Sequence, residues 1–352
     1  MRIAQVAPLY ERVPPVAYGG TERVVSHLTE ELVRRGHEVT LFASGDSVTS
    51  ARLVPLGRSA LRLDPECRDP LARHVAQLEA VARLAHAFEV VHFHTGFLHF
   101  PLARRLNVPN VSTLHGRLDL PDLRPLFAAC DDVPVVSISR DQRRPLPGAH
   151  WVATVHHGLP PDHVAFSPRH DGYLAFVGRI APEKRPDRAI EIARRAGLPL
   201  RIAAKVDAVD REYYESRIRP LLQQDGIEYL GELPEPEKLQ LLAGAMALLF
   251  PIDWPEPFGM VVIEALGCGT PVIAWRCGSV PELVEHGRTG FIVESLDDAV
   301  AAVGEAEYLD RAVCRQVFER RFTAARMARD YELVYRRVID LAARRAPEEA
   351  TA

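Results

Sequence analysis

The chain alternates strand-like and helix-like segments along most of its length, and this alternation limits the possible folds more than any other feature. In the first half, apolar strand-like runs lie at 3–8, 38–43, 90–94, 110–114 and 133–138. Amphipathic segments with a helical period, such as 21–36 and 69–88, separate these runs. Strands that alternate with helices predict a parallel sheet covered by helices on both faces.

The alternation restarts after a stretch rich in proline, histidine and glycine at 156–172. Strand-like runs follow at 173–178, 200–205, 227–231, 247–251 and 272–275. The segments between them predict helices at 183–196, 210–224, 235–244 and 259–267. We therefore predict an α/β fold with two doubly wound parallel-sheet domains, which the length of 352 residues also favours. The predicted domains are 1–165 and 166–322, followed by a C-terminal helix in 323–352.

Composition narrows the classes of function. The formal net charge of -4 gives no reason to expect a nucleic-acid partner. No apolar run approaches the roughly 18–20 residues of a membrane span, and the opening strand-like run predicts no signal peptide. The five cysteines are scattered and form no C-x-x-C pair. A reduced, cytoplasmic setting is therefore expected.

Open α/β sheets bind ligands at the carboxyl edges of their strands, so two such domains predict a cleft between those edges. After the first strand, Gly19 and Gly20 allow a ligand to approach the backbone closely, and Thr21 opens a helix whose N-terminus attracts anions. The alternative interpretation is a simple turn with an N-cap. The segment lacks the G-x-G-x-x-G pattern, which disfavours a nicotinamide enzyme.

Basic residues follow the first two strands of the second domain. Arg179 and Lys184 lie on a strand-to-helix loop, and Lys205 ends the next strand, where each can meet a phosphate. Only three of the 43 basic residues are lysines, so two of them at these positions suggest a need for a compact ammonium. The alternative is a solvated basic loop.

Two glutamates mark the segment WPEPFGMVVIEALG (254–267). Pro257 holds Glu256 in an extended loop, whereas Glu264 lies within an apolar helix. Buried carboxylates need partners. Spacing alone leaves two partners equally open for Glu264, ligand hydroxyls such as a ribose diol or a structural arginine. Phe258, Gly259 and Met260 form the first helical turn, whose N–H groups lack intrahelical partners.

Taken together, four segments resemble the retaining glycosyltransferases of family 4, which have the GT-B fold. These segments are PPVAYGG (14–20), VGRIAPEK (177–184), EPFGMVVIE (256–264) and GSVPELV (278–284). The resemblance runs from Met1 to about Tyr335. It implies a nucleotide-sugar donor bound mainly by the second domain, an acceptor bound mainly by the first, and a terminal helix that returns to the first domain.

The resemblance also implies roles for single residues. Glu264 would accept hydrogen bonds from the donor ribose, and Glu256 and His115 would lie beside the transferred sugar. Arg179 and Lys184 would neutralise the departing diphosphate, with Lys205 as a further cation and Gly19 and Gly20 on the other side. The backbone N–H groups of Phe258, Gly259 and Met260 would bind the hydroxyls of the transferred sugar. Val261 is a further expected substrate-binding residue.

Some residues depart from the family pattern or favour plainer interpretations. His157 stands where the family commonly has asparagine, and Ala204 and Lys205 stand where it commonly has glycine, with Lys205 able to supply charge at that position. His115 has a structural alternative as a capping or core histidine. His92 and His94 share one strand face, but no cysteine or carboxylate lies near in sequence, which disfavours a metal site.

The sequence therefore predicts an enzyme that transfers a sugar from a nucleotide diphosphate sugar with retention of anomeric configuration. The acceptor is expected to be a sugar, a lipid-linked molecule or a small molecule, with at most peripheral membrane contact. No metal or other cofactor is expected, because the chain contains no Asp-x-Asp motif. The alternatives are a sugar-nucleotide epimerase on the same fold and a catalytically silent scaffold subunit.

Overall fold

A computed structural model describes residues 1–16 and 19–349, with side chains described up to residue 344. Tyr18 of the predicted Gly-Gly motif and residues 350–352 of the predicted C-terminal segment lie outside the described residues. The chain divides into two compact units. The first comprises Met1–Gly158 together with the residues from Ala324 onward, and the second comprises Leu159–Thr323.

The described part of the first unit contains a seven-stranded parallel sheet. Its strands are β1 (Arg2–Val6), β2 (Glu38–Ala43), β3 (Arg52–Pro55), β4 (Val90–Phe93), β5 (Asn110–Thr113), β6 (Val135–Ser137) and β7 (Trp151–Thr154). They are arranged in the order β3-β2-β1-β4-β5-β6-β7. The helices between the strands are α1 (Gly20–Arg34), α2 (Pro70–Leu84), α3 (Phe100–Ala103) and α4 (Leu123–Ala129).

The second unit contains a six-stranded parallel sheet in the order β10-β9-β8-β11-β12-β13. Its strands are β8 (Tyr173–Arg179), β9 (Leu200–Lys205), β10 (Ile227–Gly231), β11 (Ala245–Phe250), β12 (Val272–Trp275) and β13 (Gly290–Val293). Its helices are α5 (Pro186–Ala196), α6 (Arg211–Tyr213), α7 (Glu235–Gly244), α8 (Met260–Cys268), α9 (Val280–Leu283), α10 (Leu296–Ala306) and α11 (Arg311–Arg321). The predicted α/β fold class is confirmed.

Burial on both faces of the sheets explains the apolar strands. Along β8, Leu174 and Phe176 belong to one core cluster, whereas Tyr173 and Ala175 belong to another. Successive side chains of a strand point to opposite faces, so the two clusters lie on opposite sides of the sheet. A strand covered on both faces reads as a continuous apolar run rather than an alternating one.

The terminal helix α12 (Ala324–Glu349) belongs to the first unit. Tyr331 and Tyr335 are one turn apart and fully buried, so they share the helix face that packs on the sheet. The Tyr331 hydroxyl lies 2.8 Å from Oγ1 of Thr113 in β5, and the Tyr335 hydroxyl accepts from Nε2 of Gln5 in β1 at 2.8 Å. Within the described residues, no helix has both the length and the hydropathy that a membrane span requires.

One predicted helix is irregular, and three strands were not predicted. Residues 210–224 are helical for most of their length but do not form one regular α-helix, because α6 passes directly into a π-turn at Tyr214–Ile218 and a 3-10 turn follows at Leu221–Gln223. Pro220 lacks an N–H group, and its ring clashes with the preceding helical turn. The unpredicted strands β3, β7 and β13 have three or four residues each, and β3 ends at a proline. Such short runs carry little periodic signal.

Candidate active site

The order of strands in the second sheet reverses between β8 and β11, which are neighbours in the sheet but distant in the chain. In open α/β folds, ligands bind outside the carboxyl ends of the strands at such a reversal. Here the two loops that leave this point are 180–185, which carries Lys184, and 251–259, which carries Glu256. Both predicted segments of the second unit therefore leave the sheet at one place.

Lys184 and Glu256 form an ion pair across these two loops, and each has less than a fifth of its side chain exposed. Trp254 completes the group. Its indole N–H donates to Oε2 of Glu256 at 2.9 Å, and its ring lies 5.1 Å from Nζ of Lys184, within range of a cation–π interaction. Glu256 thus has two donors on one oxygen, and this holds its carboxylate in a defined position.

Arg179 lies at the end of β8 among three carboxylates. It pairs with Glu183 from the following turn, and its guanidinium lies 3.3 Å from both Asp207 and Asp210. Burial opposes the charged form, but Asp207, Glu183 and Asp210 together raise the pKa of Arg179. Lys205, at the end of β9, lies 2.9 Å from Asp207. Arg179 and Lys205, two of the three cations predicted to meet phosphate, therefore belong to one compact charged cluster.

Helix α8 begins beside Glu256 because glycines shape its start. Gly259, the N-cap, has a φ of 86°, a left-handed conformation that favours glycine. Gly278 packs so tightly on the loop that an added Cβ would lie 2.4 Å from the backbone nitrogen of Glu256. Ser279 donates through its hydroxyl to the carbonyl of Phe258 at 2.5 Å. These contacts fix the position of the first helical turn relative to Glu256.

Glu264 lies one turn into α8 and is 4% exposed. Its partner is Lys238 of α7, whose ammonium donates to Oε1 at 2.7 Å. The sequence left a ribose or an arginine as the alternatives, and the structure supplies a lysine instead. A ribose contact for Glu264 stays a prediction, but the carboxylate already has a cation that stabilises its charge.

In the first unit, the predicted loop with Gly19 and Gly20 ends at the start of α1. An added Cβ on Gly19 would lie 2.7 Å from Cβ of Pro15, so packing alone demands a glycine there. An added Cβ on Gly20 would meet nothing within 4 Å. Among the described residues, nothing that packs against Gly20 explains its small size, which leaves a use in ligand approach open.

His115 follows β5 and is half-buried. Its Nε2 lies 2.9 Å from Nδ1 of His94, and its ring stacks on His157 with the centroids 5.3 Å apart. Burial lowers the pKa of His115 to about 3, so the ring is neutral at physiological pH. Among the described residues, its buried Nδ1 has no hydrogen-bond partner. This unpaired nitrogen distinguishes His115 from a fully satisfied core histidine.

Two family models match most of this chain between them. The model for glycosyl transferases group 1 matches residues 164–313, and that for glycosyltransferase family 4 matches residues 18–137. The chain is a glycosyltransferase. The matched segments include His115, Arg179, Lys184 and both site glutamates.

Individual glycosyltransferases support this assignment. A glycogen synthase of Mycobacterium tuberculosis is 28% identical, and the alignment covers 93% of this chain and 89% of that protein. A D-inositol 3-phosphate glycosyltransferase of Rhodococcus erythropolis is 33% identical over 46% of this chain and 37% of its own length. The predicted identity as a glycosyltransferase is confirmed, and so is its class as an enzyme.

Solved structures place the fold in the GT-B class. AviGT4, a glycosyltransferase involved in avilamycin A biosynthesis, superposes with a TM-score of 0.76 at 24% identity and covers 97% of this chain and 98% of its own. Alr3699/HepE of Anabaena, solved in complex with UDP and glucose, gives 0.72 at 17% identity and covers 95% and 99%. At these identities the likeness concerns the fold alone.

Sequence reasoning missed two residues of this site, Trp254 and Lys238. Trp254 could have been found from the sequence. Tryptophan is rare in this chain, which has three, and this one lies two residues before Glu256. Lys238 is the third lysine of the chain. All three lysines pair with a carboxylate of the second unit, namely Glu256, Asp207 and Glu264. The scarcity of lysine among the basic residues therefore pointed to three positions in or near the site rather than two.

Proposed function

We propose that the protein transfers a sugar from a nucleoside diphosphate sugar to a hydroxyl-bearing acceptor, with retention of the anomeric configuration. The observation that carries the proposal is the ion pair of Lys184 and Glu256 beside the first turn of α8, at the reversal point of the second sheet. This arrangement supplies a cation for a phosphate, a carboxylate for a polar ligand group, and helix N–H groups for further oxygens.

The donor is proposed to bind with its diphosphate against Lys184, supported by the charged cluster of Arg179 and Lys205. Because Arg179 is shared among three carboxylates, Lys184 is assigned the larger part of leaving-group stabilisation. Gly19 and Gly20 are assigned to the opposite side of the diphosphate. Preorganised cations stabilise the charge that develops on a leaving group without reorganising during the reaction.

The nucleoside and sugar ends are assigned to α8. Glu264, one turn into the helix, is proposed to accept from the ribose hydroxyls while it stays paired with Lys238. The N–H groups of the first turn and the carboxylate of Glu256 are proposed to bind the transferred sugar. The assigned N–H groups are those of Phe258, Gly259, Met260 and Val261.

Retention is proposed to arise from attack on the face from which the diphosphate departs. The sugar passes through a short-lived oxocarbenium-like species, and no protein nucleophile is assigned. The bond from the sugar to the phosphate oxygen breaks first, the acceptor oxygen then bonds to the sugar on the same face, and the departing diphosphate takes the proton of the attacking hydroxyl. The acceptor is proposed to be a sugar, a lipid-linked molecule or a small molecule, and a cytoplasmic setting is proposed for the reaction.

Thermal unfolding in the presence of UDP, GDP and ADP tests the donor assignment. A nucleotide at about 100 times its Kd should stabilise the protein by roughly 2.7 kcal/mol, and Lys184→Ala should abolish most of that gain. No stabilisation by any of the three nucleotides would contradict the proposal. Incubation with the donor sugar alone separates the alternatives, because an epimerase would convert the donor without any acceptor.

A further inference from the structure

The first unit contains a buried chain of hydrogen bonds that ends at His115. His94 joins His115 to Gln5, since its Nδ1 lies 2.9 Å from Nε2 of His115 and its Nε2 lies 2.7 Å from Oε1 of Gln5. Gln5 in turn donates through Nε2 to the Tyr335 hydroxyl at 2.8 Å. Gln5, His94 and Tyr335 are all at most 3% exposed, so water does not compete with these bonds.

The chain of bonds dictates where each proton lies. With its amide nitrogen donating to Tyr335, Gln5 offers an oxygen to His94, so Nε2 of His94 carries its proton. Burial and the neighbouring histidines lower the pKa of His94 well below its usual value, so the ring is neutral. Its Nδ1 is then an acceptor, and the proton of His115 must lie on Nε2.

The opposite orientation of the Gln5 amide would reverse every bond. His115 would then carry its proton on Nδ1, which is buried and has no partner among the described residues. Buried N–H groups without an acceptor are rarer than acceptors that lack a donor. The orientation with Nε2 protonated therefore has the lower free energy.

We propose that Gln5 and His94 are positioning residues that fix His115 in the Nε2–H tautomer, so that its Nδ1 accepts a hydrogen bond from a substrate hydroxyl. The inference rests on the proposed function for the identity of that substrate. An Nδ1 acceptor selects a hydroxyl and disfavours a phosphate or carbonyl oxygen, which offers no proton. It also gives a role to His94 of the histidine-rich segment 92–99, which the metal interpretation did not explain.

Long-range ¹H–¹⁵N NMR correlations of the full chain, labelled with ¹⁵N-histidine, read each tautomer directly. We expect His115 to be protonated at Nε2, with its signals assigned by their loss in His115→Gln. Two variants then break the chain of bonds. Gln5→Met keeps the shape of the side chain without its polar atoms, and Tyr335→Phe removes one hydroxyl. Each should convert His115 to a mixture of tautomers.

Ser112→Ala is the matched control. It removes the partner of another buried histidine, His99, whose Nε2 lies 2.5 Å from Oγ of Ser112, outside the Gln5–His94–His115 chain. The His115 tautomer should not change in this variant. Protonation at Nδ1 in the wild type would overturn the proposal, and so would an unchanged tautomer in both Gln5→Met and Tyr335→Phe.

A kinetic readout separates positioning from simple structural support. In metal sites, losing a group that orients a histidine costs roughly 10–100-fold, and we expect a loss of that size in kcat for Gln5→Met with unchanged nucleotide affinity. A shifted tautomer with unaltered kcat would overturn the positioning role. The NMR experiment needs no substrate, so it tests the tautomer of His115 independently of the proposed sugar transfer.

Discussion

The ammonium group of Lys238 donates a hydrogen bond of 2.7 Å to Oε1 of Glu264, and this pair links helix α7 to helix α8. The Glu264 side chain is 5% exposed and that of Lys238 is 18% exposed. The carboxylate would be costly to bury alone in an apolar helix, because an isolated charge loses its hydration. Lys238 therefore resolves how an acidic residue can stand in the middle of α8.

Replacing Lys238 by methionine should destabilise the protein by about 3 kcal/mol, since removing one partner of a buried ion pair leaves the other charge uncompensated. Chemical denaturation measures the loss. The double variant Lys238→Met with Glu264→Gln should recover much of it, and the exposed Glu237→Gln on the same helix should change stability little. A double variant no more stable than Lys238→Met would contradict the claim that the loss comes from the uncompensated charge of Glu264.

Glu264→Gln should weaken the binding of free nucleoside diphosphate more than Glu256→Gln does. Hydrogen bonds to a charged group contribute roughly 1.5–3 kcal/mol, and only Glu264 is assigned to the ribose. Titration calorimetry on both variants and the wild type makes the comparison. Equal affinity in the wild type and Glu264→Gln would remove the ribose assignment.

His115→Ala should lower kcat on the order of 10²-fold, the scale on which misplaced substrate reduces rates, while nucleotide affinity stays near the wild-type value. The reason is that His115 is assigned to the transferred sugar and not to the nucleotide. Steady-state kinetics with saturating acceptor, together with nucleotide titration, test this. The exposed His86→Ala serves as control, and an unchanged kcat in His115→Ala would return this residue to a structural role.

The two α/β domains could be predicted from the sequence because both sheets are buried on two faces, so their strands read as continuous apolar runs. Prediction failed where the signal was local and weak. Strand β3 has four residues ending at Pro55, and the segment 210–224 has a helical period that Pro220 interrupts. The hydrophobic period of a sequence indicates which side chains face a core. It does not indicate whether the backbone hydrogen bonds of a helix can continue past a residue such as Pro220.

The site was predicted in its residues but not in its pairings. Glu256 and Lys184 were assigned from motifs 72 positions apart, yet their direct ion pair depends on the order of strands β8 and β11. Lys238 was missed because it lies outside the four family-like segments, and Trp254 was missed because it lies just before the segment EPFGMVVIE (256–264). The three carboxylates around Arg179 were also unforeseen, since Asp207 and Asp210 come from a different strand end.

Glu332 of α12 should make the stability of the protein depend on acid pH. The Arg35 side chain, which donates at 2.6 and 2.9 Å, lowers the pKa of Glu332 to about 2, against the opposing effect of burial and with help from His37. A carboxyl group whose folded pKa is depressed stabilises the fold above its unfolded pKa, and this stabilisation is lost as pH falls toward the folded value.

Glu332→Gln should therefore destabilise the protein at pH 7 by at most about 3 kcal/mol, at roughly 1.4 kcal/mol per pKa unit, and the deficit should narrow between pH 5 and pH 2. Denaturation at several pH values measures it. Glu79→Gln, which breaks an exposed pair with Arg83 at 2.7 Å, should cost under about 1 kcal/mol. A deficit for Glu332→Gln that does not change with pH would contradict this account.

The most direct test of the central claim is kcat/KM for sugar transfer by wild type and Lys184→Ala, each in excess EDTA. Fixed cations at the donor diphosphate predict that wild-type transfer survives EDTA nearly unchanged. Lys184→Ala should lose on the order of 2–4 kcal/mol in kcat/KM, the scale for one preorganised charge-stabilising group. Transfer abolished by EDTA and restored by Mg²⁺ or Mn²⁺, with Lys184→Ala near wild type, would contradict the account.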